Sequence, residues 1–299
     1  MKRKFIYFIN PISGTGDRAL LLKIIKNKTI EKNIPFEILH TNASGEYLYL
    51  KEKIATENIT DIIVCGGDGT VNQIVNALLG LSVNIGIIPM GSGNGLAFTA
   101  KISKNIHHAL DIIFTGNAVY IDSFYINKKL SCMLCGIGFD AQVAHNFAKQ
   151  KKRGVVSYIK QSVNHFFIAK AYSFEIILEE TTVHSDAFFI SIANSNQFGN
   201  HFTIAPQASL HDGLLDIVVA NKMSKLKMIW AILKQIQNGQ VRNYKDKKYH
   251  SKNIHYFNTK KLTIKNPQLA PLHIDGEPAE TAALFEIEII ENAFKLLIP

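Results

Sequence analysis

Short apolar runs alternate with amphipathic stretches from the N-terminus to about Asp122. The apolar runs predict strands at Lys4–Ile9, Phe36–His40, Asp61–Cys65 and Asn84–Pro89. The amphipathic stretches predict helices at Asp17–Lys26, around Glu46–Glu57, at Val71–Leu79 and from about Leu96. Short strands that alternate with helices are typical of a parallel sheet covered on both faces. We therefore expect residues 1–122 to form an α/β domain.

From about Asp122 the pattern changes to strands that follow one another with few helices between them. The predicted strands are Phe174–Leu178, Ala187–Ala193, Leu215–Ala220, Lys261–Ile264, Leu272–Ile274 and Glu286–Ile290. Two helical stretches, near Val155–Lys170 and Ser224–Gln237, interrupt this series. Consecutive strands favour antiparallel pairing. We expect residues 123–299 to form a second domain that is β-rich, mainly antiparallel and sandwich-like.

Composition narrows the class of protein. The 299 residues are 47% hydrophobic, which is enough to bury the cores of two domains. Lys and Arg outnumber Asp and Glu by 33 to 24, and the net charge of +9 favours an anionic partner: nucleic acid, a membrane surface or a phosphorylated substrate. No run reaches the ~18 apolar residues that a membrane-spanning helix needs. The three cysteines, Cys65, Cys132 and Cys135, fit a reduced cytoplasmic setting and are predicted to be buried thiols.

Three glycine-rich loops each follow a predicted strand. They are Asn10–Gly16, Gly66–Thr70 and Gly91–Gly95. Because each joins a strand to a helix, all three should lie at the carboxyl edge of a parallel sheet, where ligands bind. Glycine lets the backbone approach a phosphate closely, and the next helix presents unpaired N–H groups. The loops therefore predict a phosphate-binding edge.

Asp68 lies inside the second of these loops. A carboxylate there would repel phosphates unless a cation neutralised it, so Asp68 predicts a Mg²⁺ ion held directly or through water. Asp68 could also cap the helix that begins near Thr70, and the two roles are compatible.

Several nucleotide-binding classes do not fit the sequence. It contains no G-x-x-x-x-G-K-[ST] and no protein-kinase signature. Gly14–Ala19 fits the dinucleotide pattern G-x-G-x-x-A, but the strand Phe36–His40 does not end in the acidic residue that would bind a ribose. Signatures of nucleic-acid binding are also lacking, which argues against a nucleic-acid partner.

The segment Gly66–Leu78, GGDGTVNQIVNAL, resembles the signature of the diacylglycerol kinase and sphingosine kinase catalytic domain. Asn10–Gly14, Pro89–Ala97 and Asp275–Glu277 resemble other motifs of that family, in the same order. The likeness spans about residues 4 to 298. It implies an ATP- and Mg²⁺-dependent lipid kinase. In such an enzyme an NAD kinase/diacylglycerol kinase-like nucleotide-binding domain joins a β-rich lipid-substrate domain, with the active site in the cleft between them.

The resemblance also implies roles for individual residues. Those implied to hold ATP are Asn10, Pro11, Ile12, Ser13, Gly14, Thr41, Gly66, Gly67, Asp68, Gly69, Thr70, Val71, Asn72, Ser92, Gly93 and Asn94. Asp68 would organise Mg²⁺ and the γ-phosphate. Glu277 would be the general base that takes the proton of the lipid hydroxyl, a role that suits a positioned carboxylate. Asp275 is the next candidate for the base, unless Asp275-Gly276 is simply a turn.

Three further assignments rest on the same likeness. Ser209–Asp216 resembles a stretch that holds a structural metal in some bacterial members, which implies Asp212 and the carbonyls of Ser209 and Leu214 as ligands. A plain turn before the strand Leu215–Ala220 would explain these residues almost as well. Asp140 would meet the polar head of the substrate. Asp122 stands where members place a cleft acid, although a turn at a strand end is an alternative.

Two basic regions predict how the protein reaches a lipid. One comprises Lys149, Lys151, Lys152 and Arg153 beside the aromatic-rich stretch Val155–Lys170, and the other runs from Lys222 to Lys252 and includes Arg242, Lys245, Lys247 and Lys248. Such patches dock on anionic headgroups, although solvated faces would look the same. We expect a cytoplasmic protein that is peripherally associated with the membrane and has no nucleic-acid partner.

The sequence leaves the acceptor lipid and the oligomeric state, including a homodimer, open. An NAD kinase is the alternative enzyme, since that group shares the G-G-D-G loop. Its Asn-Glu pair has no counterpart at a comparable place in this chain. A non-catalytic nucleotide-binding sensor is the alternative from another class.

Overall fold

The chain forms two compact units. The structure, a computed structural model, describes residues 2–14, 17–42, 44–148, 169–197, 203–224 and 254–299. One unit comprises Met1–Asp122 together with Glu291–Pro299, and the other comprises Ser123–Ile290. The predicted second domain was residues 123–299, and the compact units differ from it in that Glu291–Pro299 groups with the first unit. The reason is that the end of the last strand pairs within the sheet of the first unit.

The described strands of the first unit form a parallel sheet. They are β1 (Phe5–Ile9), β2 (Phe36–His40), β3 (Asp61–Gly66), β4 (Asn84–Pro89) and the end of β15 (Leu284–Ile298). Their order across the sheet is β2-β1-β3-β4-β15, and every pair is parallel. Every residue of β1 and β3 is buried. Such continuous burial is expected of parallel strands that are covered on both faces.

Five described helices belong to the same unit as these strands. They are α1 (Arg18–Glu31), α2 (Tyr49–Glu57), α3 (Asp68–Leu78), α4 (Gly95–Thr99) and α5 (Ile106–Thr115). Helix α3 buries Val71, Ile74, Val75 and Leu78, which is the spacing of an amphipathic helix. The side chain of Asp17 caps α1 by accepting hydrogen bonds from the N–H groups of Ala19 and Leu20. These elements confirm the predicted α/β domain.

The second unit consists mainly of antiparallel strands. Its described elements are the end of β5 (Asn117–Ile126), β6 (Lys129–Ser131), β7 (Leu134–Gly138), α6 (Phe139–Ala148), β8 (Tyr172–Ile177), β9 (Thr182–Ala193), β10 (Leu215–Asn221), β11 (Ile254–Thr259), β12 (Lys261–Lys265), β13 (Leu272–Ile274), β14 (Glu277–Ala279) and the first part of β15. β9 pairs with β7, β8 and β10, in each case antiparallel. The predicted mainly antiparallel β-rich domain is therefore confirmed.

An apolar cluster holds this unit together. Its buried members come from six or more strands and include Phe124, Ile137, Phe174, Ile192 and Phe285. The helices predicted near Val155–Lys170 and Ser224–Gln237 lie almost wholly outside the described residues, as do most residues of both basic regions. Within the ranges that the structure describes, no helix is both long enough and apolar enough to cross a bilayer.

Candidate functional site

The three glycine loops lie side by side at the carboxyl edge of the parallel sheet. The N–H of Asn10 donates to the carbonyl of Cys65 at 3.0 Å, and the N–H of Met90 donates to the carbonyl of Gly66 at 2.9 Å. The N–H of Thr41 donates to the carbonyl of Ile9 at 3.1 Å, so the end of β2 joins the same edge. The predicted meeting of the loops is therefore present in the structure.

The backbones of the second and third loops touch where both residues are glycine. A Cβ atom on Gly91 would lie 2.6 Å from the Cα of Gly67, which is closer than real Cβ contacts. A Cβ atom on Gly66 would lie 2.7 Å from the Cβ of Thr70. Glycine is therefore required at position 91 by the packing of the third loop on the second, and at position 66 by packing within the second loop.

The side chain of Asn10 shapes the first loop and ties it to the second. Its Nδ2 donates to Oγ1 of Thr70 at 2.8 Å, and its Oδ1 accepts from the N–H of Ile12 at 3.0 Å. Gly14 follows with a φ of +75°, a value that favours glycine. Pro11 and Ile12 are exposed, and Ser13 is half-buried, so these residues of the loop face solvent.

Asp68 occupies the first turn of α3, whose N-cap is Gly67. Its two carboxylate oxygens accept hydrogen bonds from the N–H groups of Gly95 at 3.1 Å and Leu96 at 3.2 Å. The carboxylate of Asp68 therefore caps α4, which is a different helix from the one that the capping alternative named. The N-cap of α3 is a glycine, which offers no side chain to its first N–H groups. A helix N-terminus with a glycine N-cap favours the binding of an anion.

The side chain of Asn94 closes the third loop on itself. Its Oδ1 accepts from the N–H of Gly91 at 2.7 Å, and its Nδ2 donates to the carbonyl of Gly91 at 2.7 Å. Asn94 is buried and left-handed, with a φ of +56°, whereas Ser92 at the tip of the loop is exposed. The amide of Asn94 therefore shapes the loop, and a ligand would meet the loop at Ser92 and Gly93.

In the second unit, Asp275 and Gly276 form the turn between β13 and β14. The carboxylate of Asp275 is buried. It accepts hydrogen bonds from Ser131 Oγ at 2.7 Å and from the N–H groups of Cys132, Met133 and Leu134 at 3.0 Å each. A carboxylate with this many donors is strongly stabilised in its place. The structure thus corrects the assignment of Asp275 as a candidate base, since its oxygens hold the turn together.

Glu277 is the first residue of β14 and is exposed. It pairs with Ile274 across the two-residue turn. The two carboxylates of the D-G-E motif therefore differ in environment, because one is buried in hydrogen bonds and the other faces solvent. Of the two, Glu277 is the one that stays a candidate for the base.

Two family models match the chain. One covers the part with alternating strands and helices, and the other covers most of the β-rich part. Residues 4–126 match the Diacylglycerol kinase catalytic domain, and residues 134–298 match the YegS C-terminal NAD kinase beta sandwich-like domain. A protein of Yersinia enterocolitica named "Probable lipid kinase YegS-like" is 30% identical over 277 residues, which covers 90% of this chain and 89% of the relative. The chain belongs to the YegS-like kinase family. Because the family consists of kinases, the chain is a phosphotransferase.

Other comparisons agree with this family. A protein of Shewanella frigidimarina with the same name is 28% identical over 258 residues, covering 84% of this chain and 80% of the relative. The solved structure of a diacylglycerol kinase from Bacillus anthracis has a TM-score of 0.74 at 20% identity, and covers 99% of this chain and 97% of the other. Another structure from the same organism has a TM-score of 0.79 at 22% identity. At such identities, the structural likeness shows the shared fold.

Asp140, predicted from the family resemblance to meet the substrate, is buried in this YegS-like chain. Only 8% of it is exposed, and its Oδ2 has no hydrogen-bond partner among the described residues. That oxygen lies 3.6 Å from Nε2 of His273, a residue of β13 that the sequence analysis did not single out. The burial argues against direct contact with a headgroup. His273 could have been noticed as a histidine two residues before the D-G-E motif.

Asp122 is also buried, and it lies in the middle of β5. Its Oδ1 accepts a hydrogen bond at 2.8 Å from the N–H of Asn292, whose φ is +53°. The interpretation as a turn at a strand end is wrong, because β5 continues to Ile126. The assignment as a cleft acid stays a prediction, and the described contact of the carboxylate holds a left-handed residue of β15 in place.

The predicted structural metal would lie at the turn before β10. Asp212 is exposed, and its Oδ1 accepts from the N–H of Leu214 at 3.1 Å, while Ser209 is half-buried. Burial raises the pKa of nearby Asp216 to about 6, although the hydrogen bond from Tyr256 opposes the shift. In the described part of the chain, no three His, Cys, Asp or Glu side chains are grouped to hold a metal. A ligand set that includes the carbonyls of Ser209 and Leu214 stays a prediction.

The three cysteines are buried and free, as predicted. Burial raises the pKa of Cys65 and of Cys135, which keeps both thiols protonated. Cys132 and Cys135 flank the start of β7, and Cys132 and its neighbours donate N–H groups to Asp275. The C-x-x-C spacing therefore belongs to the core of the second unit.

Proposed function

We propose that this kinase transfers the γ-phosphoryl group of ATP, with Mg²⁺, to a hydroxyl of a membrane lipid such as diacylglycerol or a sphingoid base. The observation that carries the proposal is the convergence of three glycine loops around the start of α3 with an oriented Asp68 carboxylate among them. Phosphoryl transfer depends on positioning and on neutralising charge, and such an edge serves both. The names of the relatives support a lipid as acceptor.

The phosphates of ATP would bind to backbone N–H groups at this edge. The loops approach one another so closely that side chains are excluded at Gly67 and Gly91, which leaves the backbone to face a ligand. The start of α3 adds the partial positive charge of a helix N-terminus. Asn10, Thr70 and Asn94 would act by fixing the loops, since their side chains bond within them.

Asp68 suits a Mg²⁺ ion in its chemistry, because carboxylate oxygens are preferred ligands of this ion. Asp68 is half-buried, and its two bonds to the start of α4 fix the direction of the carboxylate. Asp68 would hold the ion directly or through water. When bound, Mg²⁺ neutralises charge on the β- and γ-phosphates.

Glu277 would accept the proton of the lipid hydroxyl while the oxygen of that hydroxyl forms a bond to the γ-phosphorus of ATP. The bond from that phosphorus to the β–γ bridging oxygen breaks, and ADP leaves. A carboxylate that is exposed on a well-held turn can reach a substrate hydroxyl without losing its orientation. Asp275 supports this role through the turn and takes no part in the proton transfer.

A membrane lipid as acceptor requires contact with a bilayer. The net charge of +9 supports a peripheral contact with an anionic membrane at its cytoplasmic face. The basic segments that we predict to make this contact lie mostly outside the described residues.

The test is transfer of radiolabelled phosphate from ATP in mixed micelles with Mg²⁺. Diacylglycerol, sphingosine, ceramide, phosphatidylglycerol and NAD are offered side by side. We expect transfer to one lipid that is lost in Asp68→Ala and Glu277→Ala but kept in Glu280→Ala, a matched control whose side chain is 89% exposed. Transfer to NAD alone would identify an NAD kinase. ATP binding without transfer to any acceptor would leave a nucleotide sensor.

A further inference from the structure

A buried histidine and a buried aspartate lie beneath the turn that carries Glu277. His273 is 1% exposed and Asp140 is 8% exposed. Oδ2 of Asp140 faces Nε2 of His273 at 3.6 Å, and the proposed mechanism uses neither residue. Burying a carboxylate oxygen without a hydrogen bond is unfavourable in free energy. The position of this oxygen opposite an imidazole therefore requires a physical explanation.

The other nitrogen of His273 contacts the turn itself. Its Nδ1 lies 3.3 Å from the backbone N of Gly276, the residue immediately before Glu277. A backbone N–H can only donate, so Nδ1 must be the acceptor and carry no proton. The ring proton of His273 therefore lies on Nε2, which faces the carboxylate of Asp140. The carboxylate of Asp140 favours the tautomer with the proton on Nε2, because a carboxylate stabilises an N–H group that faces it. The turn requires this tautomer.

Gly136 makes room for this pair. His273 pairs with Gly136 in the neighbouring strand β7, so the two residues share a position across the sheet. A Cβ atom on Gly136 would lie 1.9 Å from Oδ2 of Asp140 and 2.4 Å from Nε2 of His273. Only glycine fits at this position while the aspartate and the histidine face each other.

Helix α6 and the strand before it hold β13 at two more points. His145 of α6 lies with Nε2 at 2.6 Å from the carbonyl of Leu272, and this nitrogen must donate because a carbonyl only accepts. The N–H of Gly138, at the end of β7, donates to the carbonyl of Pro271 at 2.8 Å. The strand that leads into the turn is therefore fixed from the side on which Asp140 lies.

The turn needs such support because its backbone is unusual. Asp275 and Gly276 both have positive φ values, +49° and +83°, as the two-residue turn of a tight hairpin requires. The carboxylate of Asp275 is tied to the segment Ser131–Leu134. The N–H of Gly276 is tied to His273. Both central residues of the turn are thus anchored, and Glu277 follows directly.

We propose that Asp140 and His273 are positioning residues for Glu277. The carboxylate of Asp140 keeps the proton of His273 on Nε2, Nδ1 accepts from the N–H of Gly276, and the turn presents Glu277 to the substrate hydroxyl. This inference rests on the proposed function, in which Glu277 is the base. It adds two residues that never touch the substrate but set the efficiency of proton transfer.

Two substitutions at one position separate this role from a general packing role. In His273→Asn, the side-chain Oδ1 can stand in for Nδ1 and accept from Gly276. In His273→Gln, the polar end of the side chain reaches toward Asp140 instead, and the acceptor for Gly276 is lost. Since small misplacements of a catalytic group cost up to about 100-fold, we expect His273→Gln to lower kcat about 10-fold to 100-fold. The KM for ATP should stay unchanged, and His273→Asn should keep kcat within about 3-fold of the wild type.

These variants are compared in the assay that identifies the acceptor lipid, with thermal unfolding as a check of folding. Equal loss of kcat in folded His273→Asn and His273→Gln would overturn the proposal, as would full kcat in both. A rise in the KM for ATP that matched the fall in kcat would also overturn it.

A second measurement needs no activity. The ¹⁵N spectrum of labelled wild-type protein reports which nitrogen of His273 carries the proton. We expect the proton on Nε2, and a mixture of tautomers in Asp140→Asn. A proton on Nδ1 in the wild type would overturn the pairing. If the wild type phosphorylates no lipid, the proposed function fails, and this spectrum still decides whether the pair exists.

Discussion

The glycine loops of the first unit and the Asp275–Glu277 turn of the second both use polar side chains to fix the backbone, but they differ in the group that would act. In the loops, the side chains of Asn10, Asp68 and Asn94 accept hydrogen bonds from backbone N–H groups, and the ligand would be met by other N–H groups. In the turn, buried polar groups fix the backbone so that one exposed carboxylate can act. Binding of phosphates can thus be distributed over a backbone, whereas proton transfer depends on a single side chain.

The comparison predicts its largest effect at Glu277. Glu277→Gln keeps the size of the side chain but removes the proton acceptor, so kcat should fall about 10²–10⁴-fold, the usual contribution of a general base. The KM for ATP should be unchanged, as measured by steady-state kinetics. Glu280→Gln is the control, because Glu280 is exposed and lies near the same turn. A fall of less than threefold in Glu277→Gln would give the role of base to another group.

The second largest effect is expected at Gly91, where the backbones of the second and third loops touch. Gly91→Ala would place a Cβ 2.6 Å from the Cα of Gly67 and push the second and third loops apart. We expect the KM for ATP to rise about tenfold or more, which corresponds to about 1.4 kcal/mol of lost binding. In the control, Gly80→Ala, nothing lies within 4 Å of the new atom, so this variant carries only the strain of a side chain at a φ of +78° and no contact between loops. Normal ATP affinity in Gly91→Ala would show that the contact between these loops is dispensable.

A smaller effect, and one on stability, is expected at Asp275. Asp275→Asn replaces one acceptor oxygen by an NH₂ group that faces buried donors. The free energy of unfolding should fall by about 1–3 kcal/mol, the usual cost of leaving a buried donor unsatisfied. Urea unfolding followed by circular dichroism measures it. No change in stability would mean that the donors from Ser131–Leu134 find other acceptors.

The smallest effect is expected at Ile12 in the first loop. Its side chain is 79% exposed. If the loop binds phosphate through its backbone, Ile12→Ala should change the KM for ATP by less than about threefold, since exposed substitutions usually cost under about 0.5 kcal/mol. A tenfold rise would show that this loop also recognises the nucleotide through a side chain.

Much of the fold could be predicted because its signals are local. The bounds of β2, β4 and β13 match the predicted strands, since each is a short apolar run with clear ends. Helix α5 was missed, although Asn105 caps it and Ala109, Leu110 and Ile113 show its buried face. That signal was present in the sequence and could have been used.

The partners of the site residues could not be predicted, because they are distant in sequence. Asp68 bonds to residues 27 and 28 positions later, and Asp275 bonds to Ser131, which is 144 positions earlier. Motifs identify which side chains carry chemistry. They do not reveal which of two adjacent carboxylates, Asp275 or Glu277, is buried. For the same reason, the link between Asp140 and His273 required the register of β13 and β7.

The return of the chain to the first unit affects the order of events during synthesis. Lys295 and Leu296 of β15 pair with Asn84 and Ile85 of β4, and so complete the parallel sheet that carries the glycine loops. The ribosome makes this edge strand only after all of the second unit. The N-terminal unit therefore emerges with one side of its sheet unpaired, and it can reach its full set of strands only once translation has passed Leu296. A fragment that ends at Asp122 would keep the three loops but lack that strand.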